Sequence, residues 1–139
     1  MSDKKGSCGC GALQYRVEGE PINTVFCYCQ TCQVQTGSDK WFGAWFAKDK
    51  FNITVGTPSI YKREGASGRD VNCLFCQHCG TMVAAEVTIG GFYSVGVATL
   101  ENSQNLRPNM AIYTASASAW AVFPEDVPKF DILPPNMGG

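Results

Sequence analysis

The eight cysteines of this 139-residue chain lie in three short clusters whose spacings are those of metal ligands. The clusters are Cys8-Gly-Cys10, Cys27-Tyr-Cys29-Gln-Thr-Cys32 and Cys73-Leu-Phe-Cys76-Gln-His-Cys79. Structural zinc ions bind four cysteine or histidine ligands in a tetrahedron. Cys8 and Cys10 can reach one ion if they lie on a strand, where residues i and i+2 share a face. With the two-residue-spaced pair Cys76 and Cys79, they would complete a closed four-thiolate site.

The middle cluster supplies only three ligands, Cys27, Cys29 and Cys32. Three protein ligands plus an open position is the arrangement of a catalytic zinc. Cys73 could close this site as a fourth ligand, or it could be a buried thiol that binds no metal, or a reactive thiol. Tyr28 stands between two of the ligands, where it could donate a hydrogen bond at the site or pack its ring under the metal loop.

Other polar and aromatic side chains could contribute to a site. The one histidine, His78, lies between two predicted zinc ligands, where we expect it to face solvent, so a histidine-dependent hydrolase is poorly supported. Arg63, Arg69 and Arg107 are candidates for holding an anionic substrate. The run 41–46 is aromatic on both faces of a strand, which favours a place in the core or, alternatively, in a pocket wall beside the second zinc.

The elements that position these residues are predicted to be mainly β, because short alternating apolar runs end at Gly, Pro, Asn and Asp. Strands are predicted at 13–17, 41–47, 51–55, 59–62, 71–75, 82–87, 92–97, 110–113 and 120–123. Only 30–36 and the stretch after residue 100 could hold a short helical turn, and the ends 1–6 and 134–139 are expected to be loose.

Composition limits the class of protein. A formal net charge of −1, without a basic stripe, argues against nucleic acid or an acidic membrane as a partner. No apolar run is long enough to span a membrane, and the start Met1-Ser-Asp-Lys-Lys-Gly lacks a signal peptide's apolar segment. We therefore expect one cytoplasmic domain whose thiols stay reduced for metal binding. Four disulfides, the alternative for eight cysteines, would require an oxidising compartment.

These residues resemble the glutathione-dependent formaldehyde-activating enzyme family, also called the Gfa-like or CENP-V/GFA domain, from about Gly6 to Pro134. The matching segments are Gly6-Ser-Cys-Gly-Cys-Gly11 with Tyr15, Cys27-Tyr-Cys-Gln-Thr-Cys32, Ser67-Gly-Arg69, Phe75-Cys-Gln-His-Cys-Gly-Thr81, Val95-Gly-Val-Ala-Thr-Leu100, Pro108, Trp120, Pro124 and Pro134.

The resemblance implies a single Gfa-like domain over 1–139, folded as a β-tent of several curled antiparallel sheets around cysteine zinc sites. It implies two zinc ions per chain, and the implied activity is that of a carbon–sulfur lyase or synthase. Such an enzyme forms or cleaves an adduct of a glutathione-like thiol and an aldehyde, such as S-(hydroxymethyl)glutathione. The implied structural ligands are Cys8, Cys10, Cys76 and Cys79, the implied catalytic ligands are Cys27, Cys29 and Cys32, and Tyr28 joins the predicted catalytic residues.

The chain departs from the family pattern around the second cluster. Tyr28 stands where family members usually carry His, Gln33 where a basic residue is frequent, and Ala111 where a histidine is common. Two other functions stay open. A non-catalytic zinc module that binds another protein would need Cys73 or a partner residue to close the second site, and a thiol redox protein would use Cys29-Gln-Thr-Cys32.

Overall fold

A computed structural model of the chain describes residues 3–135, and its regular structure is mainly β, as predicted. One short helix, α1 (Gln30–Thr36), coincides with the predicted helical turn. The strands are β1 (Lys4–Ser7), β2 (Gln14–Val17), β3 (Asn23–Cys27), β4 (Trp41–Ala47), β5 (Phe51–Val55), β6 (Ser59–Glu64), β7 (Asp70–Phe75), β8 (Met82–Val87), β9 (Phe92–Gly96) and β10 (Met110–Ile112).

The strands form two sheets. The smaller has the order β1-β2-β5, and the larger has the order β10-β3-β4-β9-β8-β7-β6. Neighbouring strands are antiparallel, as expected, except that β10 pairs with β3 in parallel, with Met110 opposite Val25. The chain passes from the large sheet to the small one between β4 and β5, through a 3-10 turn at Lys48–Lys50.

The main core is formed by residues of both sheets. Tyr15 and Val17 of β2 are fully buried, as their alternation with polar residues predicts. They belong to one apolar cluster with Phe46 of β4, Phe51 of β5 and Val95 of β9. The two sheets therefore share a core, which fixes the β1–β2 loop relative to the β7–β8 turn.

A second apolar cluster lies where the C-terminal segment packs on the edge of the large sheet. Its buried members are Val25, Met110 and Ile112, and Phe130 and Leu133 pack against them. This cluster supports the end of β3, where the middle cysteine cluster begins.

Two predicted features at the ends of the chain are wrong. Residues 1–6 were expected to be loose, but residues 4–6 belong to β1, a polar edge strand without apolar alternation because its outer side faces solvent. Residues 1–2 lie outside the described range. The predicted strand 120–123 is absent, with Trp120 at 70% and Val122 at 83% exposure. Instead Lys129 pairs with Ala111, because the segment around it occupies the open edge of β10.

The middle of the chain differs from prediction in two places. β3 was not predicted, because consecutive residues Thr24 and Val25 are both buried and so do not alternate with polar ones. The stretch directly after Leu100 forms turns, and the short helical turn expected there lies further on, in the 3-10 helix Thr114–Ser116. Residues 136–139 of the tail lie outside the described range. Among residues 3–135, no helix has the length and apolarity needed to cross a membrane.

Candidate functional site

The β1–β2 loop and the β7–β8 turn bring four cysteines together. The sulfur atoms of Cys8, Cys10, Cys76 and Cys79 all lie within 4.8 Å of one another. The Cys8–Cys10 and Cys10–Cys76 Sγ distances are 3.8 and 3.7 Å. A tetrahedral zinc with sulfur ligands at about 2.3 Å holds those sulfurs about 3.8 Å apart, so this donor set fits zinc. The expected strand geometry is wrong, because β1 ends at Ser7 and the first two cysteines lie in the loop that follows.

The turn between β7 and β8 has the shape of a metal-binding knuckle. The Gly80 amide donates to the Cys76 carbonyl at 2.8 Å, and the Cys76 amide donates to the Thr81 carbonyl at 2.9 Å. Gly80 has φ of 79°, a left-handed conformation that favours glycine. The His78 amide donates to Cys76 Sγ at 3.4 Å, while its side chain is exposed and outside the group of sulfurs, as expected.

Hydrogen bonds also connect the two loops around this cluster. The Gly9 amide donates to Thr81 Oγ1 at 3.1 Å, and that hydroxyl lies 3.2 Å from Cys79 Sγ. Hydrogen bonds, the largest contribution coming from the Thr81 hydroxyl, lower the pKa of Cys79 to about 5. The Leu13 amide donates to Cys8 Sγ at 3.3 Å. Such donors orient metal-binding sulfurs and stabilise their thiolates, so the loops are built for ligation.

The second cluster is formed where β3 leads into α1. Cys27 is the last residue of β3, Cys29 caps α1, and Cys32 lies in its first turn. Their sulfurs lie within 4.8 Å of one another, and the Cys32 amide donates to Cys29 Sγ at 3.3 Å. The Tyr28 amide donates to the carbonyl of Ile112 at 3.1 Å, which fixes the loop to β10. Three thiolates in this arrangement fit a zinc ion that keeps one further position.

The three thiols of the second cluster differ in their pKa values, because each interacts with the other two. Hydrogen bonds from Cys27 and then Cys32 lower the pKa of Cys29, which makes its thiolate the first to form. The neighbouring Cys29 raises the pKa of Cys27, and Cys27 with Cys29 raises that of Cys32. A metal ion must therefore displace protons from Cys27 and Cys32, so its binding is expected to weaken as the pH falls.

Cys73 lies outside both groups of sulfurs. It faces inward from β7 and is 1% exposed. The Gln35 side chain donates from Nε2 to Cys73 Sγ at 3.1 Å. Of the three alternatives for this residue, its position matches the buried thiol that binds no metal.

Tyr28 is packed under the metal loop. Its side chain is 0% exposed, and its ring lies 5.0 Å from Phe123 and 6.4 Å from Phe26. Its hydroxyl has no hydrogen-bond partner among the described residues. Gln33 donates to the carbonyls of Tyr28 and Ser116 at 2.8 and 3.0 Å, so it holds the loop in place.

The second cluster lies in the wall of a cleft of about 570 Å³, which the first cluster does not line. Besides the three cysteines, the cleft has aromatic and charged walls. The aromatic residues are Trp41, Trp45, Phe92 and Tyr113, and the charged residues are Arg63, Arg69, Glu64 and Asp70. Arg107, the third predicted arginine, pairs instead with Asp126 at 3.1 Å, away from the cleft.

The aromatic side chains of β4 lie partly in the core and partly in the cleft wall, the two environments that the sequence allowed. Phe46 is buried in the main core, whereas Trp41 and Trp45 line the cleft. Trp41 Nε1 donates to Ser94 Oγ at 2.9 Å. A Cβ atom at Gly43 would overlap Ser94 Oγ and lie 2.6 Å from Trp41 Nε1, so glycine is needed for this contact.

Tyr113 is a cleft residue that the sequence did not single out. It follows β10 and adopts φ of 56° and ψ of 34°, a left-handed conformation that is uncommon outside glycine. Its amide donates to the Ile132 carbonyl at 2.8 Å. Burial, then the three neighbouring cysteines, raise the pKa of its phenol, which therefore stays protonated as a hydrogen-bond donor. No local pattern in the sequence marks an aromatic residue at this position as part of a site.

Comparison with known proteins identifies the family. The model of the glutathione-dependent formaldehyde-activating enzyme family matches residues 3–116, a range that contains both cysteine groups and ends before the expected residue 134. The fold is similar to a crystal structure of a Rhodobacter sphaeroides protein, with a TM-score of 0.59 and 22% identity over 90% of this chain and 98% of that one. None of the curated proteins matches the chain. The chain therefore belongs to the glutathione-dependent formaldehyde-activating enzyme family.

Proposed function

We propose that the chain is a zinc-dependent carbon–sulfur lyase or synthase that cleaves or forms an adduct of a small thiol and an aldehyde, such as S-(hydroxymethyl)glutathione. The observation that carries this proposal is a group of three cysteines, Cys27, Cys29 and Cys32, in the wall of a cleft large enough for a small molecule. Family membership supports the substrate class.

We assign one zinc ion to each cysteine group. Cys8, Cys10, Cys76 and Cys79 would hold a structural ion, because four sulfurs complete its coordination. The three cysteines of the cleft would hold the second ion. When bound there, zinc supplies a Lewis acid for a carbonyl or hydroxyl oxygen and stabilises a thiolate at neutral pH.

The side chains of the cleft would position the adduct. In the lyase direction the carbon–sulfur bond breaks, the adduct hydroxyl loses its proton as the aldehyde forms, and the leaving sulfur takes up a proton as the thiol. Trp41 and Trp45 supply an apolar wall that excludes water from the reacting carbon. Tyr113 would donate a hydrogen bond to the reacting oxygen, the role predicted for Tyr28. Tyr28 itself would support the loop through its buried ring.

The position of Cys73 supports the open site over a non-catalytic zinc module. The non-catalytic alternative needs a fourth ligand, and within residues 3–135 no fourth cysteine belongs to the second group. All eight cysteines are free thiols, which fits a reducing compartment such as the cytoplasm. We further propose that residues 1–139 act as one domain with small-molecule partners only.

The test measures exchange between S-(hydroxymethyl)glutathione and its free components by magnetisation-transfer NMR, because the adduct also forms without a catalyst. The zinc-loaded protein should accelerate exchange above the spontaneous rate. Cys29→Ser should return exchange to that rate while the protein stays folded, and Arg107→Gln, outside the cleft, is the control that keeps the acceleration. Exchange at the spontaneous rate with the zinc-loaded wild type, or full acceleration by Cys29→Ser, would overturn the proposal.

A further inference from the structure

A chain of hydrogen bonds connects the buried thiol of Cys73 to a guanidinium group in the cleft. Arg63 Nε donates to Gln35 Oε1 at 3.2 Å, and Gln35 Nε2 donates to Cys73 Sγ at 3.1 Å. The orientation of the Gln35 amide follows from its partners. Arginine can only donate, so the amide oxygen must face Arg63, and the amide nitrogen then faces the sulfur, which accepts.

Cys73 provides a rigid end for this chain. Its side chain is buried in a small apolar cluster with Val71 and Ala85, and Met82 packs against that cluster. The Met82 sulfur lies 3.9 Å from Gln35 Nε2, so both nearby sulfurs face the same amide nitrogen. A buried anchor of this kind restricts the Gln35 rotamer, and through it the position of Arg63.

The same glutamine relates Arg63 to the cysteine cluster. Gln35 and Cys32 lie three residues apart on α1, which places them on neighbouring positions of the helix surface. Cys32, Gln35 and Arg63 all line the cleft. The helix that supplies a predicted metal ligand therefore also sets where the guanidinium stands.

The positive charge of the Arg63 guanidinium can pair with an anionic ligand. It forms no salt bridge with any carboxylate in residues 3–135. Its Nε is used by Gln35, which leaves the two Nη groups free of a protein carboxylate. Of the acidic residues in the cleft wall, Asp70 lies 3.7 Å from Lys62, and Glu64 is exposed. A half-buried arginine without a carboxylate partner is suited to bind one from a ligand.

We propose that Arg63 is a specificity-determining residue that binds a carboxylate of the thiol substrate, and that Gln35 and Cys73 are positioning residues that hold its guanidinium in the cleft. This inference rests on the proposed function, because it requires a thiol to bind at the three-cysteine site. It gives a role to the buried thiol of Cys73, which belongs to neither cysteine group. It also predicts that the site binds thiols that carry a carboxylate more tightly than neutral thiols.

The test compares two small thiols, 3-mercaptopropionate and 2-mercaptoethanol, by titrating cobalt-substituted protein and following the visible absorption of the metal. The ratio of the two affinities is compared between variants, so the different acidities of the two thiol groups cancel. Arg63→Gln should reduce the preference for the carboxylate thiol about tenfold, because it removes a charge-assisted hydrogen bond. Gln35→Leu and Cys73→Ala should each reduce it by about threefold, with the affinity for the neutral thiol unchanged. Arg107→Gln, outside the cleft, is the matched control and should leave the ratio unchanged.

The outcomes separate this inference from the proposed function. If both thiols bind but Arg63→Gln keeps the wild-type ratio, the role of Arg63 is overturned while the open metal site stands. If Arg63→Gln lowers the ratio but Gln35→Leu and Cys73→Ala do not, the positioning role is overturned. If neither thiol changes the cobalt spectrum of the wild type, the proposed open site fails, and the inference fails with it.

Discussion

Removing one ligand from each cysteine group is expected to have very different effects on stability. Cys76→Ser breaks the four-cysteine group, which joins the β1–β2 loop to the β7–β8 turn. Cys29→Ser breaks the three-cysteine group, whose members all lie at the junction of β3 and α1. A cross-link stabilises a fold mainly by restricting the unfolded chain, so its effect grows with the length of the loop that it closes.

The magnitudes follow from the separations along the chain. Cys10 and Cys76 are 66 residues apart, and a cross-link over that span contributes about 4 kcal/mol at 25 °C. The outer cysteines of the second group, Cys27 and Cys32, are five residues apart, which gives a contribution of about 2 kcal/mol. Since a domain of this size is stable by roughly 5–15 kcal/mol, Cys76→Ser alone can remove from about a quarter to most of the free energy of unfolding.

Urea unfolding of zinc-loaded variants at a fixed free zinc concentration, followed by circular dichroism, measures these differences. Native mass spectrometry counts the zinc ions that each variant retains. Cys73→Ser is the control for replacing a buried cysteine that belongs to neither group, and it should keep the wild-type zinc count. The reasoning is refuted if Cys29→Ser costs as much unfolding free energy as Cys76→Ser, or if Cys76→Ser unfolds like the wild type.

Three further predictions concern the cleft and the large sheet. Gly43→Ala places a methyl group against Ser94 and should lower the free energy of unfolding by about 1–3 kcal/mol in urea, whereas an unchanged midpoint would contradict the close contact. Lys48 lies 2.9 Å from Glu86 and holds the pKa of that carboxyl below its ordinary 4.5, so the pair stabilises the fold above about pH 4.5 and this contribution is lost as the pH falls further. Lys48 is 57% exposed, so solvent screens the pair. The stability difference between wild type and Glu86→Gln should be present at pH 7 and shrink as the pH falls below 4.5, and a difference that grows on acidification would contradict the pairing. Tyr113→Phe should lower turnover by about tenfold with zinc content and melting temperature unchanged, and full activity would exclude the phenol from the reaction.

Features that depend on neighbouring residues could be predicted from the sequence. The bounds of β4, β5, β8 and α1 agree with the predicted ranges, because apolar alternation and turn residues act over a few positions. The two cysteine groups were also predicted, since the spacing of metal ligands is a local property.

Features that depend on pairing between distant segments could not be predicted. The polar residues of β1 become a strand only because β2 offers them a partner, and the apolar residues 120–123 remain outside a sheet because Lys129 occupies the available edge beside Ala111. The composition of the cleft also depends on pairing between distant segments. Tyr113 reaches the second cysteine group only after β10 has paired with β3.

If the proposed function is right, the separation of ligands along the chain also explains how one small fold would hold a fixed metal site and an open one. The first group takes its cysteines from two loops that are distant along the chain, so an ion bound there would cross-link the fold and use all four sulfurs. The second group takes its three ligands from one short junction that β3, β10 and the Tyr28 packing already hold in place. Because the fold does not require a fourth ligand there, that position can be left to a substrate. A site that is positioned by its scaffold, and is not itself the cross-link of that scaffold, can exchange a ligand without loss of the fold.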